Sequence, residues 1–202
     1  NSVPDHVIVG YNRRHYNTVL EARKFVTSSQ YPVRAHMCLP ESIVKNQTDP
    51  FLNVRSNSVH GIDILRYIFG DLTVEFNSAF ENKNACFGRH AILKSRDGCL
   101  IDLSMAWNAP LNFSLSIDNG DERVQLEPFE TFRLFKGLER VEPTDEFPLR
   151  RYFPQKIKEF DVFTGANKDL KPGFLGQALD FMSLFNGVPS NNSANLQDAY
   201  RA

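Results

Sequence analysis

The residue best suited to proton transfer in this sequence is His60, which lies near the start of a predicted helix. The unpaired amides and the dipole of a helix N-terminus disfavour a positive charge, so we expect a neutral imidazole that can accept a proton. Asp63 and Tyr67 share one side of that helix with His60. A nearby carboxylate can fix the tautomer of an imidazole, so Asp63 is predicted to support His60 as a general base. The alternative, that His60 and Asp63 only cap and brace the helix, stays open.

A second candidate group follows the first predicted strand, where Tyr11, Arg13 and Arg14 occur within four residues. Strand ends are common ligand sites in α/β scaffolds, and neighbouring guanidinium groups suit a carboxylate or a phosphate. These residues are therefore predicted to contact a substrate. The alternative is a solvated turn whose arginines pair with surface acids. Trp107, the only tryptophan, is predicted to lie in the core rather than to stack on a sugar.

Several common chemistries lack their motifs in this sequence. The five His and three Cys never approach a metal-ligand spacing, so no metal site is predicted. No Gly-x-Ser-x-Gly nucleophile elbow occurs. No Gly-x-Gly-x-x-Gly and no phosphate loop occur either, so this chain does not hold a dinucleotide by the usual device.

The candidate residues depend on two helices near the N-terminus. Residues 6–11 read as a strand, 16–28 as a helix and 32–39 as a second strand. Residues 56–69 carry Val59, Ile62, Leu65 and Phe69 at spacings of three and four, which predicts an amphipathic helix with that stripe on the core.

Short polar side chains are predicted to cap this second helix. Ser56 or Asn57 could accept a hydrogen bond from an amide of the first turn, and Gly70 is expected to end the helix.

From residue 72 to about 141 the pattern changes to period two, which predicts hairpins. Residues 73–80 and 86–93 form one predicted pair, and Arg96-Asp97-Gly98 turns the chain into a strand at 99–107. Asn119-Gly120-Asp121 joins strands at 113–117 and 122–126, and Lys136-Gly137 is predicted to turn 131–135 back into 138–141.

The last third of the chain is less regular. Residues 143–172 show no sustained period and are predicted to be a long loop. A helix is predicted at 174–186, between Pro172 and Gly187, and a last helical segment at 194–202.

Composition and pattern together predict one α+β domain over residues 1–202, with an open, predominantly antiparallel sheet and helices packed on one face. The 42% hydrophobic and 23% charged residues fit a folded domain, and a net charge of −1 favours neither nucleic acid nor an anionic membrane as a partner. No segment reads as a membrane span or signal peptide. Three widely spaced Cys indicate a reducing compartment, so a cytoplasmic location is expected.

Two segments in this order resemble the Gfo/Idh/MocA family of glucose-fructose oxidoreductases and inositol dehydrogenases. They are VGYNRR at 9–14 and SVHGIDILRYIFGD at 58–71, followed by the run of hairpins. The likeness covers most of the chain and implies the family's C-terminal α+β domain. The N-terminal Rossmann domain, which binds NAD(P) in that family, would then be absent, with residues 1–15 as its last strand and exit and 194–202 as a helix cut short.

The resemblance also implies roles for individual residues. His60 matches the family's histidine that contacts the substrate hydroxyl and acts in proton transfer, and Asp63 matches an aspartate one turn later. Some members place an aspartate four residues before that histidine, where this chain has Ser56; Ser56 or Asn57 is expected to hydrogen-bond a substrate hydroxyl instead.

The function implied is that of the substrate-binding and oligomerisation domain of an NAD(P)-dependent oxidoreductase acting on a sugar, cyclitol or nucleotide-sugar. NAD or NADP would be held mainly by the absent domain, and this chain alone would be inactive. A homo-oligomer through the sheet face is expected. The alternative is a non-catalytic protein-association module that has lost dehydrogenase chemistry.

Overall fold

The computed structural model describes residues 7–41, 58–81, 86–163, 169–190 and 192–202. The strands of these segments join into one eight-stranded sheet. They are β1 Arg34–Glu41, β2 Leu72–Glu81, β3 Cys86–Ser95, β4 Leu100–Trp107, β5 Ser114–Asp118, β6 Glu122–Leu126, β7 Thr131–Val141 and β8 Arg151–Asp161. Their order across the sheet is β2-β3-β4-β1-β5-β6-β7-β8. Only β1 and β4 pair in parallel, so the open, predominantly antiparallel sheet predicted from the sequence is confirmed.

Helices cover one face of this sheet. The described helical elements are a 3₁₀ turn at Asn12–His15, α1 Asn17–Ser28, α2 Val59–Phe69, α3 Phe174–Phe185 and α4 Leu196–Arg201. The core lies between α1, α2 and the inner sheet face, where Val19, Met37, Leu39, Ile64 and Ile101 are buried. The α+β class with helices on one face is therefore confirmed, and no helix of the described residues is long and apolar enough to cross a membrane.

The predicted apolar stripe of α2 is rotated in the structure. Val59 and Ile62 of that stripe stay half-exposed, whereas Ile64, Leu65 and Ile68 are buried. The helix is apolar around most of its circumference. The spacing of its apolar residues was therefore compatible with two overlapping buried faces, and it did not decide between them. Its predicted end at Gly70 is confirmed, since Gly70 has a φ of 78°.

The structure corrects two predictions about the C-terminal hairpin. Lys136-Gly137 is not a turn, because β7 continues through it as one strand with a bulge between Phe135 and Leu138. Residues 143–172 are not a plain loop, because they contain β8, which pairs with β7 along its length. Most of β8 is exposed on both faces at the sheet edge, so it lacks the alternation that marks a half-buried strand. Pro154 also made β8 hard to predict, because a proline in a sequence argues against a central strand and is found mainly in edge strands.

The N-terminal strand predicted at 6–11 is also corrected. Residue 6 lies outside the described residues, and the remainder makes a single isolated bridge, between Val9 and Ala194. The tight turns at Gly98 and Gly120 are confirmed, with φ values of 84° and 91°. The two C-terminal helices are confirmed to within about two residues at each end.

Candidate functional site

His60 is the second residue of α2 and faces the chain segment that precedes α1. Its ring lies edge-on to the ring of Tyr11, with 5.5 Å between centroids. The imidazole is partly exposed, so it is not enclosed in packed hydrocarbon. Its Nδ1 is buried and has no hydrogen-bond partner among the described residues. A buried, unsatisfied imidazole nitrogen is costly unless a ligand or water completes it.

The charge state of His60 is set by its surroundings. Burial first, and the positive charge of Arg13 second, lower the pKa of the imidazole from its ordinary value. A neutral imidazole at neutral pH follows, although its causes are burial and Arg13 and not the helix terminus from which it was predicted. The guanidinium of Arg13 lies 4.3 Å from the ring centroid of Phe113, which fixes the cation beside the site.

The phenol of Tyr11 lies beside the His60 imidazole. Burial, followed by the negative charge of Asp63, raises the pKa of the Tyr11 phenol. The hydroxyl therefore stays protonated near neutral pH and can donate a hydrogen bond. The structure thus brings together three of the predicted residues, Tyr11, Arg13 and His60.

Arg14 and Asp63 instead engage each other. Arg14 Nε lies 3.1 and 2.9 Å from the two Asp63 carboxylate oxygens, and Nη2 lies 2.5 Å from Oδ1. Both side chains are almost fully buried. Arg14 Nη1 also reaches Asp198 Oδ2 at 3.3 Å and the Ser193 carbonyl at 3.4 Å. This ion pair joins the 3₁₀ turn, α2 and the start of α4.

The prediction that Asp63 fixes the tautomer of His60 is therefore wrong. Within the described part of the chain, Arg14 donates the hydrogen bonds that the Asp63 carboxylate accepts, and the His60 Nδ1 is unpaired. Spacing along the helix correctly placed His60 and Asp63 on one side of α2. It could not show that Arg14, from the 3₁₀ turn, binds the Asp63 carboxylate. Direct substrate contact by Arg14 and Asp63 stays an untested prediction.

The Arg14 and Asp63 pair continues into a wider polar cluster beside α2. The Tyr67 hydroxyl donates to Asn192 Oδ1 at 2.5 Å, and the Arg23 guanidinium lies 4.3 Å from the Tyr67 ring centroid. A cavity of about 770 Å³ opens here, and Arg23 and Arg66 are among the residues that line it. The cavity lies towards the C-terminal end of α2, away from His60.

The remaining predicted positions have simple outcomes. Ser56 and Asn57 lie outside the described residues, so their predicted roles as helix cap and substrate contact stay predictions. Trp107 is buried, with 6% of its surface exposed, so its predicted place in the core is confirmed. The described residues contain no group of three or more His, Cys, Asp or Glu side chains that could hold a metal ion.

Three residues that shape this site were missed by sequence reasoning. Asp198 accepts a hydrogen bond from Arg14, and the ring of Phe113 packs against the Arg13 guanidinium. Glu41 accepts a hydrogen bond from Ser58 at the start of α2. Each comes from an element far away in the sequence, and no local motif marks any of them. The sequence alone did not show that Glu41 is buried or that Ser58 is its hydrogen-bond partner, and its role at this site depends on both.

Comparison with solved structures finds the same fold in several dehydrogenases and oxidoreductases. A dehydrogenase (MviM) from Clostridium difficile matches with a TM-score of 0.65 at 14% identity, over 96% of this chain and 58% of that one. Levoglucosan dehydrogenase, in a complex with NADH and L-sorbose, matches with a TM-score of 0.61 at 14% identity, over 97% and 61%. UDP-N-acetylglucosamine 3-dehydrogenase GnnA from Acidithiobacillus ferrooxidans matches with a TM-score of 0.61 at 11% identity, over 97% and 58%.

These likenesses show the fold, and at that level the resemblance to Gfo/Idh/MocA dehydrogenases is confirmed. The chain spans about three-fifths of the length of the solved structures that it matches. No family model matches the sequence. No curated protein matches it either.

Proposed function

We propose that this chain is the substrate-binding and oligomerisation domain of an NAD(P)-dependent oxidoreductase that acts on a sugar, cyclitol or nucleotide-sugar. The fold supports the oxidoreductase class, because the matched proteins include sugar and nucleotide-sugar dehydrogenases. The observation that carries the proposal is the unpaired Nδ1 of His60, which lies beside Arg13 and Tyr11.

In this proposal the imidazole of His60 accepts the proton of a substrate hydroxyl. Its lowered pKa keeps it unprotonated near neutral pH, and its buried nitrogen gains the hydrogen bond that it lacks. The protonated phenol of Tyr11 can donate to a second substrate oxygen. Arg13 disfavours the imidazolium, so the partly exposed imidazole releases the proton to solvent water once the hydroxyl has been oxidised.

The hydride in such a reaction goes to nicotinamide, whose chemistry belongs to the cofactor. The sequence has no glycine-rich strand-to-helix turn, and the Glu41 carboxylate occupies the start of α2. The residues present thus fit the substrate side of the reaction and not the dinucleotide. We place NAD or NADP in a Rossmann domain outside this chain.

Helix α3 supports a neighbouring domain in this proposal. Its apolar residues are uncovered by the described residues, with Leu179 54% exposed, Met182 60% and Phe185 76%. Exposed apolar surface of this extent is typical of an interaction site. The N-terminal segment lies against the same helix, where Gln177 Nε2 donates to the Val9 carbonyl at 3.2 Å. A domain joined to that segment would be well placed to cover α3.

We further propose a homo-oligomer through the outer sheet face, defined as the face that points away from α1 and α2. A row of polar side chains crosses it, in which the Asp102 carboxylate lies 3.3 Å from His36 and 2.6 Å from His90. Light scattering on the purified chain should give the mass of a dimer or a larger assembly. A monomeric mass at every concentration tested would contradict this part of the proposal.

The competing function is a non-catalytic association module. It is favoured by exposed aromatic residues on the C-terminal hairpin, where Phe147, Tyr152 and Phe153 are all uncovered. Serine at position 56, where some of the resembling enzymes carry an aspartate, points the same way.

His60→Ala in the complete protein separates the two functions. The enzyme proposal expects kcat/KM with the sugar substrate to fall by about 100-fold or more, with assembly unchanged. Val59→Ala, which shortens the neighbouring side chain of the same helical turn, serves as the matched control and should keep its activity. Unchanged turnover in the His60 variant would leave the association module as the better explanation.

A further inference from the structure

Glu41 is a buried carboxylate that contacts the start of α2 from the end of β1. Only 6% of its surface is exposed. Its Oε1 accepts a short hydrogen bond from the Ser58 amide and a second from the Ser58 hydroxyl at 2.8 Å. The Glu41 carbonyl also accepts a hydrogen bond from the Asn108 amide at 2.7 Å, which ties the end of β1 to the chain beyond β4.

The helix N-terminus explains why this carboxylate can be buried. Burying a charge is costly unless hydrogen bonds and opposite charge compensate for it. The first turn of a helix offers both, as unpaired amides and the positive end of the helix dipole. Helix α2 has no acidic residue in its own first turn, and Ser58 makes no side-chain capping bond to it. The cap is instead supplied by Glu41, a residue of another element.

A second contact from β1 fixes the same helical turn. A Cβ atom at Gly61 would lie 2.4 Å from Cδ2 of Leu39, so the helix backbone rests directly on that side chain. Leu39 is fully buried. Because alternate residues of a strand point to one face, Leu39 and Glu41 both reach α2. They hold Ser58 and Gly61, which lie two residues before and one residue after His60.

We propose that Glu41 is a positioning residue, whose carboxylate holds the first turn of α2 against β1 and thereby fixes the His60 imidazole beside Tyr11 and Arg13. This inference rests on the proposed function, in which His60 receives the substrate proton. Both hydrogen bonds of the Glu41 side chain described above come from Ser58, so in this proposal Glu41 acts on the imidazole through Ser58 and the helix backbone. Small displacements of a reacting group lower turnover steeply, so such a role should affect kcat more than substrate binding.

The first test follows the His60 imidazole by NMR in the 202-residue chain. Glu41→Ala removes the acceptor of both bonds, and we expect the His60 ring signals to shift and the His60 pKa to rise towards its ordinary value as water enters. Glu41→Gln removes the charge but keeps an acceptor oxygen, so its His60 signals should stay close to those of the wild type. Ser58→Ala removes only the hydroxyl bond and should give an intermediate change.

The second test measures turnover in the complete protein. Glu41→Ala should lower kcat by about 10- to 100-fold with the substrate KM within about twofold, and Glu41→Gln should recover most of the loss. If Glu41→Ala does not fold, Ser58→Ala decides the matter by its smaller fall in kcat and its altered His60 signals. Wild-type signals and kcat in whichever of these two variants folds would overturn the inference.

The two proposals fail in different ways. If His60→Ala keeps full turnover, the proposed function is wrong whatever Glu41 does. If His60→Ala loses turnover while Glu41→Ala and Ser58→Ala match the wild type, only the positioning role is wrong.

Discussion

Removing one charge of the Arg14 and Asp63 pair should destabilise the fold strongly. Asp63→Asn keeps the size of the side chain but leaves the buried Arg14 guanidinium without its closest carboxylate, which lies 2.5 Å away. Breaking a buried ion pair from one side costs about 3–5 kcal/mol. Arg14 keeps Asp198 at 3.3 Å and the Ser193 carbonyl at 3.4 Å, so we expect the lower end, about 3 kcal/mol.

The assay is urea and thermal unfolding of the 202-residue chain. For a chain of this length, about 3 kcal/mol corresponds to a fall in Tm of roughly 6–12 °C. Arg14→Met with Asp63→Leu is the matched control, because it removes both charges and fills similar volume. Replacing a whole buried pair by apolar side chains is often neutral or stabilising, so the double variant should recover most of the loss.

Two outcomes would refute this reasoning. A loss below about 1 kcal/mol for Asp63→Asn would mean that the pair is hydrated in solution and not buried as the structure has it. A double variant as unstable as Asp63→Asn would mean that packing, and not the unpaired charge, sets the cost. The double variant also tests substrate contact in the complete protein: with stability restored, a raised substrate KM would show that Arg14 or Asp63 touches the substrate.

Three further predictions follow from the same contacts. Gly61→Ala should destabilise the chain by about 1–3 kcal/mol in urea unfolding, because the new methyl group would lie 2.4 Å from a fully buried Leu39; an unchanged midpoint would contradict the close approach. Arg13→Gln should raise the pKa of His60 in an NMR titration, since the Arg13 charge is one of the two causes that lower it. Burial lowers the pKa of both His15 and His60, so at these two histidines the unfolded chain takes up protons first as pH falls. The free energy of unfolding should therefore decrease as the pH drops below about 6.5, and greater stability at pH 5.5 than at pH 7.5 would contradict it.

Local patterns in the sequence determined most of the sheet. Strands β2 to β6 were predicted from period-two alternation in the sequence and from tight glycine turns such as those at Gly98 and Gly120, and the alternation is matched by burial in β5 and β6. The position of His60 near a helix start was equally local. The neutral imidazole was predicted from the field of the helix terminus, but burial and the charge of Arg13, which depend on the fold, are what lower its pKa.

Only the tertiary structure decided what surrounds these residues. Strand β8 escaped prediction because an edge strand exposed on both faces needs no hydrophobic period, and its pairing with β7 defines it instead. Asp63 was predicted to serve His60 because the two are one helical turn apart, yet its carboxylate binds Arg14, 49 residues away. Glu41 and Asp198 likewise approach their partners only through the fold. Hydrogen bonds and ion pairs act over a few ångströms. Which polar groups become partners therefore depends on how the fold brings distant parts of the chain together.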